Sequence, residues 1–566
     1  MNYDLTIKDG ELITVNCKNK KLELDIILPD TVTKIGSHAF QNIKLRSITL
    51  PDSIEEIGAY AFDQCDQIKE IIMPDSIKTI GVNAFEWCTG LKTVRLSRSL
   101  KEIPSLCFFW SNLESIEIPE SVTVINHSAF AQCYNLKHVT VSKNLIQLMG
   151  QAFTRCEQLE SISLPKSLKF IGESAFLGCI NLKSADIPSK TYIGEKAFEM
   201  CESLESIKIP KCDIPDSAFR QCKKLKHVEI PDGVVTIHEN AFAGCASLKS
   251  IDIPKSIIAI GAKAFYDCTS LEAVNFDKDS HLKSINDDTF CNCESLKRIT
   301  IPKSMQIITG PKGSLKNRNL EYIDVDPDNQ DFASVNGVLY SKHKNILYQY
   351  PQNFPDTKVT IIKSVNEIAT GAFSDCRNIK HIIVLPMVSK IEMSAFDNCE
   401  NLETLEIRAN IKSIKNIVTH CPNLKTLIVP ISVKHTGDWY EVGSPLENVG
   451  LFNKIFTDST ENCIGLLDSY EAIRCNRKFN PDLARYIINI YEKTKSHEAK
   501  TYMQRHIVSM TKACENDINS VNILIPLFKS ANKIDDALNI ITNVEAKVII
   551  ERYKHEHFGK RQKLKL

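Results

Sequence analysis

A phenylalanine, usually preceded by alanine, returns along this chain at intervals too regular for an ordinary globular core. It stands at Phe40, Phe62, Phe85, Phe108, Phe130, Phe153, Phe176, Phe198, Phe219, Phe242, Phe265 and Phe290, then at Phe373 and Phe396, with 21 to 25 residues between successive members of each run. A fixed period of that length marks a stacked array in which each unit seals the next. About sixteen imperfect units of roughly 23 residues are expected. The array overrides the expectation that 566 residues divide into several globular domains.

The unit from Cys156 to Cys179 shows the pattern cleanly, with Leu159, Ile162, Leu164, Pro165, Leu168, Ile171, Gly172, Ala175 and Phe176 at its fixed places. Apolar residues alternate with polar ones from Leu159 to Leu164, which is the period of a half-buried strand, and Pro165 ends it by withholding a backbone donor. A second short extended run closes at Ile171. The residue after this position is Gly36, Gly58, Gly81, Asn126, Gly172, Gly194, Gly261 or Asn286 in eight units. Glycine and asparagine tolerate positive φ, so a tight corner is expected there. The Ala-Phe segment is expected to form one helical turn, its phenylalanine filling the space between rungs.

Thirteen of the twenty cysteines follow the ring position by three residues: Cys65, Cys88, Cys133, Cys156, Cys179, Cys201, Cys222, Cys245, Cys268, Cys293, Cys376, Cys399 and Cys421. Side chains stacked in register point the same way, which is poor geometry for a disulfide. A buried, reduced column is expected instead. The motif Cys-x-x-Cys does not occur, so thiolate metal ligation has no support in the spacing.

The units resemble the BspA-like, or Treponema-type, leucine-rich repeats, whose hallmark is IPxxVTxIGxxAFxxCxxL. Residues 253 to 268, Ile-Pro-Lys-Ser-Ile-Ile-Ala-Ile-Gly-Ala-Lys-Ala-Phe-Tyr-Asp-Cys, carry nearly all of it, and the resemblance covers about residues 24 to 430. It implies an α/β right-handed leucine-rich-repeat solenoid of stacked parallel strands and short helical turns, and interaction roles. Surface members of the family are associated with adhesion. This chain departs from them at its start, where Met-Asn-Tyr-Asp-Leu-Thr-Ile-Lys has neither a basic nor an apolar region of a signal peptide, so a cytoplasmic place is expected. An exported or cell-surface adhesin, released by a non-classical route, is the alternative.

Two hairpins interrupt the pattern. Residues 1 to 30, with the turn Lys8-Asp9-Gly10, are expected to cap the first rung, and a second hairpin at Phe332 to Tyr350 lies in an insertion at about 326 to 358. The repeats thus run over 31 to 430. Beyond them a linker with Gly437, Gly443 and Pro445 leads into a small all-α segment within 431 to 566. Asn480 and Pro481 make a good helix start, and five to seven short helices are expected, one of them interrupted near Pro526. The favoured role of this segment is to cap the last rung, and the basic run Lys560 to Lys565 reads as a solvated end.

Chemistry is scarce. Asp324-Val-Asp-Pro-Asp-Asn329 lacks the sixth-position glycine of a calcium loop and has Val335 where a bidentate glutamate belongs, so it reads as a turn into the second hairpin. Gly310-Pro-Lys-Gly-Ser fails the phosphate-loop spacing, His555-Glu-His is isolated, and no catalytic motif appears. No enzyme activity, cofactor or metal is expected. Lysine plus arginine equals aspartate plus glutamate at 69 each, a poor basis for holding nucleic acid, and no run of eighteen apolar residues could span a membrane.

A protein partner is therefore expected, bound by a non-catalytic scaffold. The first exposed strand position mixes signs from Arg46, Lys69, Lys92 and Glu114 onward, as a solvated face does. Three residues further on lie Glu117, Asp186, Glu229 and Asp252, a candidate surface for a basic partner. The sharper candidate is aromatic. Trp87 and Trp110 share one repeat offset in adjacent units, and Phe109 precedes Trp110 where polar residues are usual. Exposed aromatic clusters of this kind anchor interfaces.

Overall fold

The computed structural model describes residues 3–18, 22–308, 315, 317–409, 411, 417–424 and 426–428, then 484, 488, 491, 492, 495 and 497–558. The chain forms two compact units, Met1–Asp331 and Phe332–Leu566.

In the first unit the rungs contribute strands to two parallel stacks, except that the rung of Ser206–Lys208 reaches the second stack only through the single bridge of Ile214 with Ile237. Ser161–Ser163 pairs with Ser184–Asp186 so that Ile162 faces Ala185 across the register. On the second stack Gln147–Leu148, Phe170–Ile171 and Tyr192–Ile193 lie side by side, with Leu148, Ile171 and Ile193 in one row. The inward residues of these strands, such as Ile162, Ile171 and Leu148, are buried. The register is unambiguous because a slip by one residue would turn this apolar row to water. Proline closes the first strand as expected, and Leu168 N–H donates back to Pro165 O at 2.9 Å to make the turn.

The third side of each rung differs from the expected helical turn. Residues two before and two after each phenylalanine adopt left-handed φ, as at Tyr60 (57°) and Gln64 (59°), or Ser174 (55°) and Gly178 (73°). Left-handed residues break the helical progression and turn the backbone donors outward along the stack. Phe62 N–H accordingly donates to Ala84 O at 2.8 Å and Gln64 N–H to Glu86 O at 2.8 Å, both on the next rung. Every side of the rung is thus hydrogen-bonded to its neighbour.

The glycine column is needed for a different reason from the one expected. Gly81 and Gly172 are not among the positive-φ residues. A Cβ on Gly81 would lie 2.2 Å from Ala59 N, and one on Gly172 would lie 2.4 Å from Gly150 N. Close approach of successive backbones, rather than a left-handed corner, selects glycine there.

The core is a continuous column of rings. From Phe40 to Phe290 the twelve rings are stacked, as at Phe130–Phe153 (5.2 Å, 5°) and Phe153–Phe176 (5.7 Å, 6°). The thiols form a second column with a role beyond packing. Cys156 Sγ donates to Phe130 O at 3.2 Å and Cys179 Sγ to Phe153 O at 3.1 Å, each reaching back one rung. The same carbonyls accept a backbone N–H from their own rung, for instance Cys156 N–H on Phe153 O at 3.1 Å. Both lone pairs of a buried carbonyl are thereby used.

The thirteen ladder cysteines are free thiols, buried as expected. Burial pushes Cys65, Cys133, Cys179 and Cys268 up to about 12. For Cys268 the rise comes from burial, offset only in part by a backbone hydrogen bond with Cys245. At pH 8 such groups hold almost no thiolate, the form that reacts. Maleimide labelling of the native protein should therefore modify half-exposed Cys212 well before any ladder cysteine, and labelling in denaturant should reach all of them. Peptide mass mapping after a short pulse reads this directly. Early labelling at Cys156 or Cys179 would mean that the rungs are not sealed.

The same device opens both units. Tyr3–Lys8 runs antiparallel to Glu11–Cys17, which then pairs in parallel with Lys34–Ile35, aligning Leu12 with Ile35. In the second unit Val338–Ser341 runs antiparallel to Ile346–Gln349, which pairs in parallel with Glu367–Ile368, aligning Leu347 with Ile368. A further strand, Phe332–Val335, joins through the turn at Asn336 (51°) and Gly337 (81°). The second hairpin is thus a three-stranded antiparallel start to a new stack, and Tyr350 takes the ring position beneath Phe373 at 5.0 Å. Strands Lys358–Thr360, His381–Val384, Thr404–Ile407 and Thr426–Ile428 continue it as one parallel sheet.

Five α-helices are described after the repeats: α1 (His497–Arg505), α2 (Ile507–Ala513), α3 (Ile518–Leu524), α4 (Ala531–Ile540) and α5 (Val544–Phe558). Asp517 and Ser530 cap α3 and α4, and Pro526 sits in a 3₁₀ turn that ends α3, as its missing N–H requires. Tyr502, Met510, Val521, Leu524, Ile534 and Ile550 form their apolar core. The expected linker at 433 to 445, the helix start at Asn480-Pro481 and the basic run at 560 to 565 lie outside the described residues.

Candidate partner-binding ridge

The paired left-handed residues create an outer ridge on the third side of the rungs. Its columns hold the residues one, two and four places after each phenylalanine. Trp87 and Trp110 both stand two places after, each with φ 56°, in a column otherwise filled by residues such as Asn42, Gln64, Gly178 and Gly244. The backbone sets them side by side, since Trp87 N–H donates to Phe109 O at 2.9 Å and Trp110 N–H to Ala131 O at 3.0 Å. Their indoles stack at 4.3 Å and 16°.

Phe109 meets both indoles edge-on, at 6.3 Å from Trp87 and 6.2 Å from Trp110. Tyr134, which sequence reasoning missed, adds an edge contact to Trp110 at 5.9 Å. It follows its cysteine and so belongs to a neighbouring column; only the register of adjacent rungs shows that it joins the cluster. Trp87 remains 38% exposed while the phenylalanines beneath it are fully buried. The three aromatic residues singled out in the sequence are therefore brought together.

The four acidic candidates are exposed on the first strand stack, a different side of the rung. They do not gather into one negative strip. Glu117 lies beside Thr140 and Asp186 beside Ser163 in the register. Glu229 is paired with Lys208 at 2.6 Å, and Asp252 accepts from Asn275 Nδ2 at 2.8 Å. Glu117 also lines a depression of about 480 Å³ with Arg95, Arg98 and Glu120, where the signs are mixed. The adjoining charged column pairs along the stack as its alternating signs predict, at Lys92–Glu114 (2.8 Å), Lys183–Glu160 (2.8 Å) and Lys226–Glu205 (3.3 Å).

The turn at Asp324–Asn329 is built from within. Asp326 Oδ1 accepts from Asp328 N–H at 2.9 Å, and the fully buried Asn329 donates to Pro302 O at 2.8 Å and Met305 O at 3.1 Å. This is the turn that was expected in place of a calcium loop. No helix among the described residues is long and apolar enough to cross a membrane.

The model of the BspA type leucine rich repeat region matches residues 15–137, 101–226, 212–336 and 348–464. Among solved structures, a leucine-rich repeat protein from Bacteroides ovatus is 29% identical over 53% of this chain and 93% of its own, with a TM-score of 0.40. The pneumococcal vaccine antigen PcpA is 18% identical over 53% of this chain and 89% of its own, with a TM-score of 0.33. A leucine-rich repeat protein from Treponema pallidum is 21% identical over 44% of this chain and 86% of its own, with a TM-score of 0.23. No curated protein matches the chain. With the repeat motif, the paired rungs and a family model that spans most of its length in agreement, the chain belongs to the BspA-type leucine-rich-repeat family.

Proposed function

We propose that this protein is a non-catalytic scaffold that binds a protein partner through the aromatic ridge at Trp87, Phe109 and Trp110. The observation that carries the reading is the stacked indole pair, held on the outer surface in a backbone conformation that bulky residues rarely adopt. A left-handed tryptophan costs on the order of 1–2 kcal/mol, and the solenoid core beneath is complete without it. Trp87 is exposed and Phe109 and Trp110 are half-buried on a rigid hydrogen-bonded frame, the arrangement an interface anchor uses. The free thiol column fits a reducing compartment, and we propose a cytoplasmic location, which fractionation of the native cells tests.

Quantitative affinity capture of the full chain from its native cells, compared with Trp87→Ala/Trp110→Ala, tests the docking reading. The variant should keep its thermal transition and lose its partner, with affinity falling by about 30-fold or more, as for a hot-spot pair. Full retention of every captured protein by the variant would remove the ridge from the interface.

A further inference from the structure

We infer that the ridge takes a cationic segment, a stretch of the partner bearing lysine or arginine beside apolar residues. This rests on the docking reading above and adds the chemistry of the occupant. Across four successive rungs the ridge segments 59–67, 82–90, 105–112 and 127–135 contain Asp63, Asp66 and Glu86 and no lysine or arginine. Lys44 stands one rung before this stretch, and after it cations return to the ridge at Arg155, Lys196, Arg220, Lys223, Lys224 and Lys263. The negative stretch coincides with the aromatic cluster.

These carboxylates differ from Glu114, Glu160 and Glu205 on the strand faces, which pair with a lysine of an adjacent rung. Asp66 is exposed, and Glu86 accepts a hydrogen bond from Asn83 Nδ2. Asp63 is only 4% exposed, and its Oδ2 accepts from Gln41 Nε2 at 2.8 Å and Gln64 Nε2 at 3.2 Å. Its Oδ1, also buried, has no hydrogen-bond partner. Asp63 thus adds negative charge beneath the ridge, while Asp66 is the carboxylate there that is open to an incoming cation.

The ring geometry narrows the occupant further. Stacking at 4.3 Å covers one face of each indole, and Phe109 and Tyr134 crowd their edges. A sugar, which needs an open aromatic face, finds less of it here. Lysine and arginine lay an aliphatic stem on apolar surface and carry their charge beyond it, which matches rings flanked by carboxylates. A phosphorylated or acidic segment would meet like charge, and a purely apolar one would desolvate the carboxylates without compensation.

Selection of random twelve-residue peptides on the full chain tests this, run in parallel on Trp87→Ala/Trp110→Ala and on Asp66→Lys/Glu86→Gln. Circular dichroism melts confirm that each variant is folded. Peptides that bind the wild type and need the tryptophans should carry net positive charge, and their affinity should fall by about tenfold or more on the charge variant and weaken with added salt. Tryptophan-dependent peptides that are neutral or acidic would overturn the charge inference and leave the docking reading standing. If no selected peptide depends on the tryptophans, the docking reading itself falls.

Discussion

Replacing Phe153 with alanine is expected to destabilise the first unit by about 4 kcal/mol, the usual cost of emptying a fully buried phenylalanine site. Phe153 is inaccessible to solvent and touches a ring on either side, Phe130 at 5.2 Å and Phe176 at 5.7 Å. Loss of the side chain therefore removes two stacking contacts at once and leaves a void that neighbouring rungs, locked by hydrogen bonds on every side, cannot collapse to fill. Stability in a stacked array is a sum of unit and nearest-neighbour terms, so the break should also separate the melting of the rungs before it from those after it. Urea unfolding followed by circular dichroism, with calorimetry to resolve the transitions, measures both. Phe153→Leu should recover most of the loss, because it refills much of the volume. A cost below about 1 kcal/mol for the alanine variant would contradict a sealed ring column.

Asn329→Leu should cost about 3 kcal/mol, although the exchange makes a buried residue more apolar. Asn329 is fully buried, and its amide donates to Pro302 O and Met305 O while its Oδ1 accepts from Asp331 N–H at 2.8 Å. Leucine would take the side-chain partner from Met305 O and from Asp331 N–H, while Pro302 O keeps the N–H of Met305 at 3.2 Å, and each unsatisfied group costs about 1–3 kcal/mol. Asn329→Asp gives an internal check. Its carboxylate would face two carbonyl oxygens and favour the protonated form, so its folded-state pKa should lie above the unfolded one. The penalty of that variant should then shrink as pH falls, the direction required when the folded state binds the extra proton. Equal stability of the two variants at pH 5 and pH 8 would count against this arrangement.

The rung was legible in the sequence because stacking repeats the same environment at the same offset. Ile162, Ile171, Phe176 and Cys179 each occupy a place that identical chemistry fills in the units before and after, and periodicity reveals such places without coordinates. The alternation of signs at Lys92, Glu114, Lys183 and Glu160 was readable for the same reason, and the pairs are formed. The two glycine-column and Ala-Phe expectations failed together. Glycine has two uses, left-handed backbone and close approach, and residue type alone does not separate them. Left-handed φ instead falls two places before and two after each phenylalanine, where Asn42, Gly178, Gly244, Asp267 and Asn398 favour it but Tyr60, Gln64 and Trp87 in the same columns mask the signal.

The amino-acid sequence by itself determined the repeat, the strand faces, the buried ring and thiol columns and the family, since each depends on spacing along one chain. The tertiary structure decided what depends on two rungs at once. Cys156 reaches the carbonyl of Phe130, Tyr134 joins Trp110, Gly81 yields to Ala59, and Glu229 is neutralised by Lys208. Those contacts join residues about twenty places apart whose meeting is set by the register of backbone hydrogen bonds, and register is a property of the stack rather than of any one unit.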